Sequence, residues 1–411
     1  MKPFADGHRF NDVKWLRKMI RAFVLLCLLA LFLLVSSTAA VAEFGSGKVR
    51  FTPVLDLGFK YDDNIHLQED SRKSSMVSEL RSQMKVTVDN QINLTSIGYS
   101  GQYAIYHSSV SDSRLDHMFF GKVHHEVLRN LTFDFGGAYQ MAHEQRGAFY
   151  IVGPESSLLE PDGFRVKQFN GLFVLGTGES KGRLEVSGSQ QYLNFISRKD
   201  VTANRNHESR EGGVTFIRNI SPKTAFTLTG LYGTIDYVSE TPGIEARSSI
   251  NQSYLLGVRW EVSRLSIGEA KLGLRRKTFL SDLRANANGF DWSLAMNWTP
   301  LRILEINIQS KGSFDESIGL SNYVDLKDLA LAAEYTLSPK QSIHASVTGV
   351  MKRYPPTTVK DYIVTAVLSS GYKFSKWLTI GLAYNYVRQF SNRSGFDYGD
   401  SQINISFSVS I

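Results

Sequence analysis

Two short runs of polar residues have side chains that could carry chemistry. His124 and His125 offer imidazole nitrogens, while Asp62, Asp63 and Asn64 offer the oxygen ligands that Ca²⁺ prefers. Consecutive side chains on a strand point to opposite faces, so His124 and His125 cannot chelate one metal ion together. Carboxylates in a polar loop are more often solvated than bound to a metal. The sequence therefore predicts no metal site and no other cofactor.

Covalent catalysis finds equally little support in the sequence. The only cysteine, Cys27, lies inside an apolar N-terminal run, and no serine–histidine pairing stands out among the many serines and 9 histidines. A hydrolase built into a membrane wall would need both groups side by side on one face. The sequence therefore predicts a protein that is not an enzyme.

Residues 1–42 have the order of regions of a secretion signal. Basic residues precede an apolar run over residues 22–35, and Ala40-Val41-Ala42 follows as an Ala-x-Ala cleavage site. The run is shorter than the ~20 residues of a membrane-spanning helix, which disfavours the alternative of an uncleaved anchor. The signal holds six basic and two acidic residues, so without it the formal net charge falls from +7 to +3. No basic block remains that would indicate nucleic acid as a partner.

The rest of the chain, residues 43–411, alternates apolar and polar residues along nearly its whole length. The last stretch is the clearest: from Ile403 to Ile411 every odd residue is apolar and every even residue is small or polar. On a strand this gives one apolar and one polar face. Behind a secretion signal, the repeated pattern predicts one all-β domain, a transmembrane antiparallel up-and-down β-barrel. We count about 18 strands, with about 16 as the alternative.

The connections between these strands alternate between short turns and long polar loops. Barrels of the bacterial outer membrane have short periplasmic turns and long extracellular loops, so the pattern places both termini in the periplasm. A soluble sandwich or propeller would not keep this alternation over the whole length. The short turns are expected near residues 90, 130, 180, 221, 264, 300, 339 and 376.

The residues that face the barrel interior follow from the same alternation, because the apolar face must contact lipid. They carry charges of both signs, which indicates a water-filled pore without strong selectivity for anions or for cations. The candidates for lining the pore are Lys85, Lys122, His124, Glu126, Asp134, Arg183, Glu185, Arg259, Glu261, Lys271, Arg275, Asp291, Glu305, Asn307, Gln309, Lys311 and His344.

One long loop, residues 146–163, is unusually apolar. It carries Ile151, Val152, Leu158 and Leu159. An exposed apolar loop would be costly, so these residues are candidates for a constriction or gate folded into the mouth of the barrel. The alternative is that the loop packs on neighbouring loops outside.

The first strand ends in a distinctive motif, Tyr61-Asp62-Asp63-Asn64-Ile65. A first strand that ends in Tyr-Asp-Asp-Asn and an apolar residue resembles that of the β-barrel porins encoded in exopolysaccharide biosynthesis loci. Length, signal and barrel pattern agree with this family across the mature chain. Such barrels often end on phenylalanine, whereas this chain ends on Ile411 and has Phe407 four residues earlier. That departure affects only how strongly the barrel-assembly machinery would recognise the last strand as its signal.

The resemblance implies a passive conduit that carries an exopolysaccharide across the outer membrane. The implied partners are the polysaccharide itself, a periplasmic polysaccharide export or co-polymerase protein and the barrel-assembly machinery. The barrel would also contact outer-membrane lipid and lipopolysaccharide. Two alternatives remain open: a general or small-solute porin, and a non-conducting structural or adhesive barrel whose loops bind a surface partner.

Overall fold

Strands form wherever apolar and polar residues alternate. A computed structural model describes residues 49–90, 92–144, 160–178, 180–238, 247–263, 265–317 and 321–410 of the chain. These residues form 18 strands in one antiparallel sheet. The strands are β1 (Val49–Asp62), β2 (Ser75–Asp89), β3 (Asn93–Tyr106), β4 (Arg114–Leu128), β5 (Leu131–His143), β6 (Gly163–Leu175), β7 (Gly182–Phe195), β8 (His207–Ser221), β9 (Thr224–Tyr237), β10 (Ser249–Ser263), β11 (Ser266–Phe279), β12 (Ala287–Leu301), β13 (Leu304–Asp315), β14 (Val324–Ser338), β15 (Gln341–Arg353), β16 (Lys360–Lys373), β17 (Leu378–Ser391) and β18 (Tyr398–Ser410).

The sheet closes on itself between its first and last strands. Every strand pairs with its neighbours in sequence, and β1 also pairs with β18, from Val54↔Ser410 to Asp62↔Gln402. Closure leaves the sheet without an outer edge, which is how barrels avoid unpaired backbone groups in a membrane. The predicted antiparallel up-and-down barrel is thus confirmed, with 18 strands rather than 16. Ile411 lies outside the described residues.

The outer face of the barrel is apolar and exposed. Register aligns Leu228, Leu256 and Leu272 on three neighbouring strands, and Leu256 is 68% exposed. A broad exposed apolar belt on a folded protein marks contact with lipid rather than with water. Polar and charged residues occupy the alternate positions, which point inwards.

The two ends of the barrel differ in the length of their connections. At one end two to six residues join the strands, and the turn expected near residue 300 lies between Leu301 and Leu304. The other end carries the long connections. One of them holds a short helix, α1 (Lys199–Thr202), and 3₁₀ turns lie at Val110–Asp112 and Ala203–Arg205. In the described part of the chain, no helix is long and apolar enough to cross a membrane.

Candidate functional site

The candidate site is the inner face of the barrel. Along each strand, the exposed apolar residues and the pore-lining candidates occupy alternate positions. The candidates therefore all lie on the inner face. Their contact with a transported solute stays a prediction. On this face the structure places Lys85, Lys122, His124, Glu126, Asp134, Arg183, Glu185, Arg259, Glu261, Lys271, Arg275, Asp291, Glu305, Asn307, Gln309, Lys311 and His344.

Five of the inward charges form a continuous chain of ion pairs. Arg183 contacts Glu185, and Arg259 reaches Glu185 at 3.3 Å and Glu269 at 3.0 Å. The Lys271 ammonium lies 3.0 Å from the other oxygen of Glu269. Three cations therefore contact two carboxylates, which leaves a formal net charge of +1. Sequence reasoning did not include Glu269, although its parity on β11 gives the same inward direction as Lys271.

The pair Glu185–Arg259 joins strands that are not neighbours. Glu185 lies on β7 and Arg259 on β10, with β8 and β9 between them. Side chains can meet across two intervening strands only on the concave side of a curved wall, which independently assigns this pair to the interior. The inward residues of β9 below it are small: Ala225, Thr227 and Thr229 are at most 5% exposed. Small residues let the wall curve tightly here and leave room for the charged side chains.

A second group of predicted residues lines a recess in the inner wall. Lys271, Arg275, Asp291 and Lys311 surround a volume of about 450 Å³, which we call the inner recess. Arg275 Nη1 lies 4.0 Å from Asp291 Oδ1, within ion-pair range. Cations and a carboxylate again share one site, so the recess offers both hydrogen-bond donors and hydrogen-bond acceptors to a polar solute.

Two smaller contacts join further candidates. His124 Nδ1 lies 3.0 Å from Asp134 Oδ1, and the carboxylate orients the ring. Asn297 donates a hydrogen bond of 2.9 Å to Glu305.

His124 and His125 point to opposite faces, because His125 pairs with the outward residue Phe133. Among the described residues, no group of three or more His, Cys, Asp or Glu side chains could hold a metal ion.

One motif escaped sequence reasoning. Residues 178–182 have the spacing Gly-x-Ser-x-Gly of a hydrolase nucleophile elbow. In such an elbow the serine stands between a strand and a helix. Here the segment joins two strands, β6 and β7. The Ser180 hydroxyl accepts a hydrogen bond of 2.9 Å from the Thr177 backbone N–H and so stabilises the turn.

The family-like motif fastens the seam of the barrel. Asp62 and Asn64 are completely buried, where β1 meets β18. Asn64 donates to the Gly399 carbonyl at 2.9 Å, and the Asp63 carboxylate accepts from the Ser401 N–H at 2.7 Å. Asp62, the last residue of β1, accepts a hydrogen bond of 3.1 Å from Gln402, so the end of β1 and the loop after it are tied to the start of β18.

The loop after the motif folds into the mouth of the barrel. Ile65 is 3% exposed and packs with Val77, Ala104 and Tyr106. These three residues occupy inward positions of β2 and β3. Apolar residues at three inward positions near one end of the barrel indicate that another segment must cover them. The sequence contains this signal, but the covering loop was not predicted from it. The predicted constriction residues Ile151, Val152, Leu158 and Leu159 lie outside the described residues.

Other long connections also reach inwards at this end. Lys277, an inward residue of β11 that is 1% exposed, contacts Glu316 in the β13–β14 connection. Tyr237 donates to the same carboxylate at 2.7 Å, and Arg247 donates to the Ser317 carbonyl at 3.0 Å. The mouth is thus lined by loop residues that are held by inward charges.

Glu144 belongs to the same rim. It follows β5 and contacts Arg205, whose guanidinium carbon lies 3.8 Å from the Phe195 ring centroid. Burial raises the pKa of the Glu144 carboxyl above its usual range, although Arg205 acts in the opposite direction.

A closed barrel with an apolar outer face and a charged inner face defines an outer-membrane β-barrel channel. Residues 46–410 match the family described as "Putative beta-barrel porin 2", and the chain belongs to this porin family. The predicted membership of a porin family is therefore confirmed. The association with exopolysaccharide loci remains a prediction.

The comparison with solved structures finds similar chains of low sequence identity. OpdO of Pseudomonas aeruginosa is 10% identical, and the match covers 89% of this chain and 98% of that chain with a TM-score of 0.48. OpdK of Pseudomonas aeruginosa, solved with vanillate, is 10% identical, with 88% and 99% covered and a TM-score of 0.48. The siderophore receptor PiuA of Acinetobacter baumannii is 9% identical, with 89% and 82% covered and a TM-score of 0.45. The comparison with curated proteins finds no match.

Proposed function

We propose that this outer-membrane porin is a passive conduit through which an exopolysaccharide leaves the cell. The observation that carries the proposal is the pairing of charges on the inner face, as in the chain from Arg183 to Lys271. Pairing cancels most of the long-range field of these charges, so the pore concentrates or repels ions of one sign only weakly. Such a wall suits a polar polymer better than a small ion.

Hydroxyl and amide groups on the inner face support the same proposal. The inward residues of β18 include Gln402, Asn404, Ser406 and Ser408. Amides and hydroxyls both donate and accept hydrogen bonds, and sugar hydroxyls do the same. A chain of sugars can therefore exchange partners along the wall without being held at one strong site. The Tyr61–Ile65 motif resembles that of porins encoded in exopolysaccharide loci, and this resemblance supports a polysaccharide as the polymer that the polar channel carries.

In this proposal residues 1–42 are removed as a signal and both termini face the periplasm. The protein catalyses no covalent reaction and takes its substrate from a periplasmic export or co-polymerase protein. The barrel-assembly machinery inserts it among outer-membrane lipid and lipopolysaccharide.

Deletion of the gene in its host tests the proposal. We expect secreted polysaccharide to fall and polymer to accumulate in the periplasm, both restored by the wild-type chain. A variant with Arg165→Gln and Lys167→Gln changes two outward residues of β6 and leaves the inner face intact, so we expect this control to restore secretion. Normal secretion in the deletion strain, without periplasmic polymer, would refute the export role.

A small-solute porin is the second candidate, and the inward-folded loops favour it. The packing of Ile65 and the contact of Glu316 with Lys277 bring loop residues into the mouth. A lined mouth admits small molecules more readily than a polymer. Liposomes containing the purified protein would swell in small sugars at the rate of general porins if this candidate is correct. Slow swelling, together with periplasmic polymer in the deletion strain, would exclude it.

A further inference from the structure

The wall of the barrel contains a gap between β12 and β13. These strands pair from their turn only as far as Ser293 and Lys311. Beyond that point β12 continues along β11 to Ala287, and β13 continues along β14 to Asp315. No register pair joins residues 287–292 to residues 312–315, all of which belong to the described part of the chain. The gap opens at the end that carries the long connections.

Two side chains fill the gap. The guanidinium carbon of Arg275 lies 4.1 Å from the Phe314 ring centroid, and Arg275 is only 7% exposed. Gly289 gives them room, because a Cβ atom there would come 2.8 Å from the Phe314 ring. Both side chains line the inner recess and also a second cavity on the outer side of the wall. Side chains, rather than a hydrogen-bonded ladder, therefore separate the two.

The second cavity, which we call the lateral cleft, has a volume of about 640 Å³. The edge of β12 forms one side, with Phe290 and Trp292. The β15–β16 connection forms the opposite side, with Thr357 and Thr358. Aromatic rings facing hydroxyl groups form the mixed apolar and polar lining of a small-molecule site.

The lateral cleft carries an excess of positive charge. Asp325 accepts hydrogen bonds from Arg275, at 3.0 Å, and from Arg353. Lys327 and Lys360 also line the cleft, so four cationic residues surround Asp325, and Arg275 also lies within ion-pair range of Asp291 on its inner side. Such an excess of cationic donors favours an anionic ligand.

The position of the lateral cleft indicates where this ligand comes from. On the outer face Leu274 pairs with Phe290, whereas the next outward pair is Arg276 and Asn288. The apolar belt therefore ends at the level of the cleft. A molecule bound there has its apolar part beside Phe290 and its polar part beside Lys327 and Arg353. That is the arrangement of a lipid with a charged headgroup.

We infer that the lateral cleft binds the phosphorylated sugar headgroup of a lipid in the outer leaflet. The sugar ring lies against Trp292 and the phosphate lies between Lys327, Arg353 and Lys360. Arginine and lysine are the usual partners of phosphate. The inference rests on the proposed orientation, with both termini in the periplasm, but it does not depend on what passes through the lumen and can fail separately from the export role.

Native mass spectrometry of the purified, folded chain tests the inference. The probes are a lipid-linked glucosamine disaccharide that carries phosphates, the same lipid without phosphate, and soluble glucosamine 6-phosphate. The cleft variant is Lys327→Gln with Lys360→Gln. The matched control is Arg165→Gln with Lys167→Gln, which removes two outward cations from β6 at the same end of the barrel.

We expect the wild type and the control to bind the phosphorylated lipid equally. The cleft variant should bind it ~100-fold more weakly, or about tenfold for each cation lost. Removing phosphate from the lipid should have a similar effect on the wild type. Soluble glucosamine 6-phosphate should bind more weakly than the lipid, because it has no acyl chains to place against the apolar belt.

Equal affinities of the cleft variant and the control would overturn the inference, as would equal binding of the lipid without phosphate. Soluble sugar phosphate that binds as tightly as the lipid would overturn the assignment to a lipid and indicate a free anionic saccharide. Slower migration of the boiled protein in SDS gels verifies that each variant is folded. Should the double variant fail to fold, the exposed single variant Lys360→Gln should still lose affinity about tenfold, and full affinity would again overturn the inference.

Discussion

The replacement Asn64→Ala should weaken the seam of the barrel strongly. Asn64 is completely buried. Its side chain donates to Gln68 O at 2.8 Å and to Gly399 O at 2.9 Å, and it accepts from Gln68 N at 3.0 Å. Alanine removes all three hydrogen bonds without allowing water to replace them. At ~1 kcal/mol for each bond at a buried site, the free energy of unfolding should fall by about 3 kcal/mol.

Asn392 provides a matched control, because it makes similar contacts at the surface. It donates to Thr358 O at 2.8 Å and accepts from Lys360 N at 2.9 Å, and both contacts are exposed. Water can replace exposed partners, so Asn392→Ala should cost less than about 1 kcal/mol.

Urea titration of the folded, fast-migrating form in detergent measures both losses. Trypsin provides a local measurement, since Arg72 and Lys73 lie in the loop that Asn64 helps to hold. Cleavage there should accelerate in Asn64→Ala and not in Asn392→Ala. Equal losses of stability in the two variants, or unchanged cleavage after Arg72, would refute the role of Asn64 in holding the seam.

Three further changes test other parts of the molecule. Ile65→Ala should release the first loop from Val77 and Tyr106, lower the free energy of unfolding by ~2–4 kcal/mol and raise single-channel conductance. The control Ile196→Ala, at a site that is 39% exposed, should change neither quantity. Glu185→Gln leaves Arg183 and Arg259 without their shared carboxylate, so the reversal potential in a salt gradient should shift towards anion selectivity, and adding Arg183→Gln should reverse the shift. The pKa of Glu144 is raised by burial, so its stabilising contribution is present below the usual pKa of a glutamic acid and lost as pH rises through the raised value. Melting curves of Glu144→Gln should lack this component of the pH dependence, and an unchanged profile would contradict it.

Alternation predicted most of the fold because it repeats in every strand. Ile403, Ile405 and Phe407 face lipid for the same reason as Leu256 and Leu272, and a closed sheet is the only arrangement that satisfies all of them in a membrane. Parity then gave the direction of each inward side chain. It could not give contacts such as Glu185–Arg259, because these depend on how tightly the wall curves across two intervening strands.

The gap between β12 and β13 lay beyond this reasoning. Gly312, Asp325, Lys327 and Arg353 occupy outward positions by parity and are not apolar. A regular membrane wall would place apolar residues there. Arg165 and Lys167 on β6 are also outward and charged, in a part of the wall that is fully paired. Outward charges therefore do not by themselves indicate a gap, and only the three-dimensional register shows that β12 and β13 separate at this point.

The bond between Asn64 and Gly399 has a consequence for the order of folding. It joins residues that are 335 positions apart, so it can form only after the last strand has joined the first. Contacts of such long sequence separation form late, because the loss of chain entropy must come first. Protection of Arg72 and Lys73 from trypsin should therefore appear only at the final step of assembly. Resistance of the first long loop to trypsin therefore distinguishes a closed barrel from one whose strands are all inserted but whose first and last strands are not yet paired.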